Sequence, residues 1–155
     1  MKPFIHARSS AAKFGGKPED YLPVHDLMAS SKAARVAFSE FFESNPDIDQ
    51  IVWTQYTPYF NDGDPCIFGV NDMFFTLAKD KVDLSDLRHP DDEENCHGTY
   101  YYGENDPIAS QRKKFSNFVK QIGDLPDEIF LSAFDDHVRV VASKNGFDTQ
   151  EYDHD

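Results

Sequence analysis

Six histidines and two cysteines, set among twenty-eight carboxylates, are the residues of this chain most able to do chemistry. Asp135, Asp136 and His137 open a segment that closes with Asp153, His154 and Asp155. If the segment folds as a hairpin, its two ends become neighbours, and two imidazoles with carboxylates can hold a divalent transition metal. The competing reading is a solvated hairpin end with a frayed tail, and the spacing matches no named zinc motif. His89, Asp91, Asp92, Cys96 and His97 put ligand types into one irregular stretch without the paired, short spacing of a zinc site. Asn61-Asp62-Gly63-Asp64 echoes a calcium loop but lacks its ligand alternation and twelfth-position glutamate, so a turn is expected. His6 and His25-Asp26 form a last possible pair, with helix capping as the plainer role of His25-Asp26. Gly15-Gly16-Lys17 has no preceding strand and no Lys-Ser/Thr ending, so it is not a phosphate loop. No nucleophile elbow, dinucleotide fingerprint or zinc-protease helix occurs. The expectation is a protein without catalytic residues and without a cofactor.

A second kind of chemistry is recognition. Trp53, Tyr56, Tyr59 and Phe60 could stack on a base while Arg112, Lys113 and Lys114 meet phosphates. Against this, the aromatics serve equally as core and the basic residues as a solvated helix face. Asp91-Asp92-Glu93-Glu94, followed by Tyr100-Tyr101-Tyr102, offers carboxylates and aromatic rings suited to a basic protein surface.

The charge is strongly asymmetric. The net is −13. Residues 1–20 carry four basic and two acidic side chains, and residues 107–123 carry four basic and no acidic ones. Residues 80–106 and 124–155 each carry two basic against nine acidic. Such a surface should repel nucleic acid except near the one acid-free basic segment, residues 107–123, and could attract basic protein surfaces or cations. Cys66 and Cys96 show no disulfide framework and read as reduced thiols. With no membrane-length apolar run and no leader-like start, the chain reads as soluble and cytoplasmic.

The elements that position these residues follow from periodicity. Residues 1–20 read as an N-terminal arm. Ala34, Ala37, Phe38, Phe41 and Phe42 recur at three and four, which predicts a helix over residues 23–44, stopped by Asn45-Pro46. Strands are predicted over residues 51–57, 66–70 and 73–78, with Asn71-Asp72 as a tight turn in a three-stranded meander. Residues 80–106 lack periodicity and read as a long acidic loop, mobile or functional. Asp106 is expected to cap a helix with Pro107 at its first position and Gly123 at its end. Arg112, Lys113, Lys114 and Lys120 fall off its apolar stripe. A short helix follows Pro126. Residues 138–143 and 147–152 form a hairpin around Asn145-Gly146, predicted as a type I′ turn. The fold class is therefore α+β: one domain over residues 1–155, about five short, mostly antiparallel strands and about three helices on one face.

Two stretches resemble known sequences. Ser9-Ser10, then Lys13-Phe14-Gly15-Gly16-Lys17-Pro18-Glu19-Asp20-Tyr21-Leu22-Pro23-Val24-His25-Asp26 and Ser31-Lys32, resembles the opening of an uncharacterised family of small phage and bacterial proteins. Further histidines and arginines of that family are absent here. Residues 53–66, Trp-Thr-Gln-Tyr-Thr-Pro-Tyr-Phe-Asn-Asp-Gly-Asp-Pro-Cys, with Glu151-Tyr152-Asp153-His154-Asp155, look like another uncharacterised, phage-associated set. Both resemblances imply a viral or mobile-element origin, and neither carries a catalytic residue across.

The functional expectation is a non-enzymatic accessory protein of phage type. It would bind a host protein through its acidic, aromatic-rich surface, as an inhibitor or a nucleic-acid mimic, in a bacterial cytoplasm without contacting nucleic acid or membrane. Alternatives are a pocket protein that binds or sequesters a nucleotide-like ligand and, third, a metal-dependent hydrolase.

Overall fold

Val24–Ser44 forms helix α1, and it ends where Asn45-Pro46 must end it. The Asn45 side chain turns back to donate from Nδ2 to the Phe41 carbonyl at 2.8 Å, satisfying one of the helix's last acceptors. The computed structural model describes residues 24–85 and 93–154, with side chains from Ser30 onward. After α1 come β1 (Ile48–Tyr56), β2 (Gly69–Val70), β3 (Phe74–Leu77), a 3₁₀ turn at Ala78–Asp80, α2 (Ala109–Gly123), α3 (Asp127–Phe134), β4 (Val138–Ser143) and β5 (Gly146–Glu151). This is the α+β arrangement and element order that periodicity predicts.

Strand β1 is the centre of the sheet. It pairs antiparallel with β4 on one side and with both β2 and β3 on the other, and β5 lies outside β4. The expected meander is therefore corrected, because β2 and β3 do not pair with each other. Gln55 faces Val70 and Val52 faces Phe74. Three steps along β1 thus match four along its partner, so β2 and β3 are one strand interrupted by a one-residue bulge. Asn71 holds that bulge against β1: its N–H donates to the Thr54 carbonyl and its side-chain Nδ2 to Thr54 Oγ1, both at 2.9 Å. The predicted strand over residues 66–70 shrinks to two residues, with Cys66 and Ile67 exposed. Cys66 and Cys96 are not joined by a disulfide.

The hairpin turn also differs by one residue. Ser143 pairs with Gly146, so Lys144 and Asn145 make the turn. Gly146 alone in this stretch has positive φ, at 124°. A type I′ turn needs positive φ at both central residues. Here glycine supplies it one position later, as in a turn closed by a glycine bulge.

The three helices cover one face of the sheet. Ile51, Trp53, Phe75, Leu77, Val140 and Ala142 point into a core with Phe38, Phe41, Phe42, Phe115, Phe118, Ile122, Phe130 and Phe134. Phe38 stacks on Trp53 at 5.3 Å, and Phe118 meets Phe38 edge-on at 4.9 Å. Ser31 Oγ donates to the Ile129 carbonyl, and Arg35 donates to that of Ala133. Equal steps of four on both helices make α1 and α3 parallel neighbours. The opposite sheet face is covered in part by residues 82–85: Leu84 is buried there, Gln50 Nε2 donates to the Val82 carbonyl, and Arg139 donates to that of Ser85.

Helix α2 starts at Ala109, two residues later than predicted. Asp106 caps the turn before it, with Oδ1 accepting from the Ile108 N–H at 3.1 Å. Arg112, expected on a solvated face, is only 5% exposed. Its Nε meets Asp106 Oδ2 at 2.6 Å and its Nη1 donates to the Gly98 carbonyl at 2.6 Å. Burial of the cation is tolerable because the planar guanidinium satisfies a carboxylate and a carbonyl at once. That hydrogen bond holds the Asp106 carboxyl below the usual range. Lys113, Lys114 and Lys120 are exposed as expected.

Candidate binding cleft

A cleft of about 750 Å³ opens between the bulged β2–β3 strand, residues 93–102, the end of α2 and the start of α3. Its apolar lining includes Val70, Phe74, Val119 and Leu125, each only half-buried. Asp72, Glu93, Glu94 and Asp127 also line it, and among the described residues no lysine or arginine does. Tyr100 and Tyr102 complete the wall, 71% and 69% exposed, with their rings edge-on at 5.0 Å.

The wall is held by the fold. Phe75 and His97 exchange two backbone hydrogen bonds of 2.9 Å, which pin residues 96–98 beside β3. Arg112 reaches Gly98 from α2 and lays its guanidinium 4.9 Å from the centre of the Tyr102 ring. Arg112 is thus a support of the cleft wall. His97 lies behind it, and burial first, then the nearby Arg112 charge, pushes its pKa down, which keeps the imidazole neutral at physiological pH.

Four of the partner-contact residues picked out by sequence, Glu93, Glu94, Tyr100 and Tyr102, therefore share one cleft. Tyr101 is exposed but is not part of the lining. Asp91 and Asp92 lie outside the described residues, as do His6, His89, Asp155, the N-terminal arm and the side chains of His25 and Asp26. Asp72 and Asp127 were missed. Asp72 is a lone acid between two short strands and Asp127 sits beside Glu128 in the first turn of a helix, and no local signal places either in one cleft with residues 93–94.

The residues proposed for a nucleotide-like pocket do not meet. Trp53 is fully buried, its Nε1 donating to Gln55 Oε1 at 3.0 Å. Tyr56 and Tyr59 lie at one end of β1. Arg112 lines a hollow with Leu77 and Lys79 at the other end, where Leu77 faces Ile48. Eight strand steps, roughly 26 Å, separate the two ends of β1. Lys113 is exposed on α2.

The hairpin does bring its ends together. His137 Nδ1 and His154 Nε2 are 2.8 Å apart, and His154 is 8% exposed, its ring stacked on Tyr56 at 3.7 Å and Tyr59 at 4.3 Å. The two imidazoles bond to each other, and Asp136 lies on the other ring nitrogen of His137, 3.6 Å from Nε2. Asp135 is engaged through its carbonyl, which accepts from Gln55 Nε2 at 2.6 Å, and Asp153 is exposed. Among the described residues no three His, Cys, Asp or Glu are grouped to hold a metal ion.

Asp135 and His137 both have positive φ, 74° and 55°, and the bonds around them hold that strain. Asp136 Oδ1 accepts from the N–H groups of Thr57 and His137 at 2.7 and 2.8 Å, and Oδ2 from Thr57 Oγ1 at 2.7 Å. Burial alone would raise this carboxyl's pKa, but the three bonds outweigh it and lower it. A depressed carboxylate stabilises the fold above its unfolded pKa, and that contribution is lost as pH falls through the folded one. Stability measured by urea unfolding is therefore expected to fall as pH drops below about 4. The fall should be shallower in Asp136→Asn, with the rest carried by Asp106 and Asp83, which shift in the same direction. An identical pH profile in the variant would show that this carboxylate is not linked to folding.

Residues 1–40 match a family described as Domain of unknown function (DUF6915). The match includes the stretch at residues 9–32 that resembles an uncharacterised family. No curated protein and no solved structure matches the chain. Among the described residues no helix is long and apolar enough to cross a membrane.

Proposed function

We propose that this protein acts without catalysis, as a phage-type accessory protein that binds a basic surface of a host protein through its acidic, tyrosine-rimmed cleft. One observation carries the reading. Four carboxylates from three separate parts of the chain, Asp72, Glu93, Glu94 and Asp127, line one cleft with two exposed tyrosines and, among the described residues, no cation. Like charges gathered on a concave wall focus the field outward, speed association with a basic surface and reject acidic ones. Tyrosine adds apolar contact at low conformational cost.

The test starts from affinity capture on the full chain and turns on kinetics with the captured partner. The association rate is expected to fall steeply between about 50 and 500 mM salt, since screening at physiological ionic strength acts over about 8 Å. Reversing Glu93, Glu94 and Asp127 to lysine should weaken binding by at least about tenfold, mostly through the association rate. All three side chains lie outside the buried core, so the circular dichroism spectrum should not change. A silent triple reversal together with a salt-independent association rate would reduce the −13 charge to a solubility feature.

A further inference from the structure

The apolar part of the cleft says more about its occupant than the charge does. We infer, resting on the reading above, that the cleft takes an amphipathic basic segment of the partner, in which lysine or arginine stands beside aliphatic side chains. The partner's basic face would then not be recognised through its positive charge alone.

Val70, Phe74, Val119 and Leu125 come from the bulged strand, α2 and the α2–α3 connection, and all four leave apolar surface open to water inside the cleft. A protein that imitates nucleic-acid phosphates needs carboxylates on its surface and has no use for such a lining. A lysine or arginine uses both parts, because its methylene stem lies on apolar surface while its charged head reaches polar groups at the edge. Asp72, Glu93, Glu94 and Asp127 are the acceptors for that head. The wall already shows this chemistry within the chain, where Arg112 sets its guanidinium against the Tyr102 ring. Tyr100, at its side, is 71% exposed and offers a second ring of the same kind. A cleft of about 750 Å³ falls within the range of sites that hold a drug-sized ligand. It therefore has room for a few side chains and not for a whole domain surface.

Binding of three probes to the full chain tests this by calorimetry: a peptide of alternating lysine and leucine, a peptide of alternating lysine and serine with the same length and charge, and spermine. The lysine–leucine peptide is expected to bind at least about tenfold more tightly than the lysine–serine peptide and to keep much of its affinity in high salt, where pure charge attraction is screened. Tyr100→Ala, at an exposed position, should reduce its affinity severalfold, and Leu125→Ser should do the same if the variant stays folded. Equal binding of the two peptides would overturn the inference while leaving electrostatic capture in place, provided that reversal of Glu93, Glu94 and Asp127 still weakens both. Spermine binding as tightly as the lysine–leucine peptide would assign the cleft to a small polycation. Concentration-dependent dimerisation lost in Glu94→Lys would assign it to a second copy of the chain, whose exposed Lys113, Lys114 and Lys120 could supply the charge. Either outcome would overturn the inference. If the captured partner ignores the triple reversal, the binding reading itself falls, whatever the peptides do.

Discussion

Replacing Trp53 by alanine is expected to cost about 3–5 kcal/mol of folding stability, the range seen when a large aromatic core residue is truncated. Trp53 is the single tryptophan of the chain and has no exposed surface. Its indole stacks on Phe38 from α1 at 5.3 Å and meets Phe134 from α3 edge-on at 5.3 Å and Phe130 at 6.3 Å. Truncation removes a side chain that joins the sheet's central strand to two helices, and it leaves the Gln55 amide oxygen without its indole partner. The surrounding rings are rigid and already paired, so little of the void can close. Urea unfolding followed by circular dichroism measures the loss, and Trp53→Phe should recover part of it. A Trp53→Ala midpoint equal to that of the parent would mean that the indole is not inside the core.

Replacing Gln55 by alanine is expected to cost about 2–4 kcal/mol, because it removes three hydrogen bonds from a buried site and leaves the Trp53 indole N–H without its amide partner. Gln55 is fully buried, yet its amide makes three bonds: Oε1 accepts from Trp53 Nε1 at 3.0 Å, and Nε2 donates to the carbonyls of Phe130 at 3.0 Å and Asp135 at 2.6 Å. The residue ties β1 to α3 and to the strained turn that precedes β4. Gln55→Leu separates volume from bonding, since it refills most of the space and satisfies none of the polar groups. It too should cost more than about 1 kcal/mol. Equal stability of Gln55→Leu and the parent would show that the network specifies the turn without stabilising it. The turn around Asp135 and His137 can be read in the same variants from the His137 and His154 ring resonances, which should shift in Gln55→Ala if the amide positions that corner.

Local patterns account for most of the architecture. Helical spacing of Phe38, Phe41 and Phe42, the stop at Asn45-Pro46, the β-branched run around Trp53 and the alternation from Val138 onward each depend on neighbours a few residues away, and such signals survive in a bare sequence. The same locality explains the misread turns. Asn71-Asp72 and Asn145-Gly146 both carry turn chemistry, but residue type alone does not say which strand lies opposite. In the fold, Asn71 belongs to a bulge held by Thr54, and Gly146 belongs to a strand. Arg112 was misplaced for a related reason: helical position predicts its direction, but its burial depends on Asp106 and on the Gly98 carbonyl fourteen residues away.

The sequence by itself determined the α+β class, the order of the elements and the acidic, tyrosine-rich character of residues 93–102. It did so because hydrophobic period and charge are properties of single segments. Only the tertiary structure decided which of the candidate residues share a site. Glu93, Glu94, Tyr100 and Tyr102 line one cleft with Asp72 and Asp127, because the His97 backbone pairs with β3 and Arg112 ties that segment to α2. Tyr56 and Arg112, which could have met in a pocket, are set at opposite ends of a nine-residue strand. His137 and His154 are brought to 2.8 Å, yet they bond to each other. Proximity of this kind depends on contacts between residues far apart in the chain, and those contacts exist only once the apolar faces have packed and fixed the register of β1 against its neighbours.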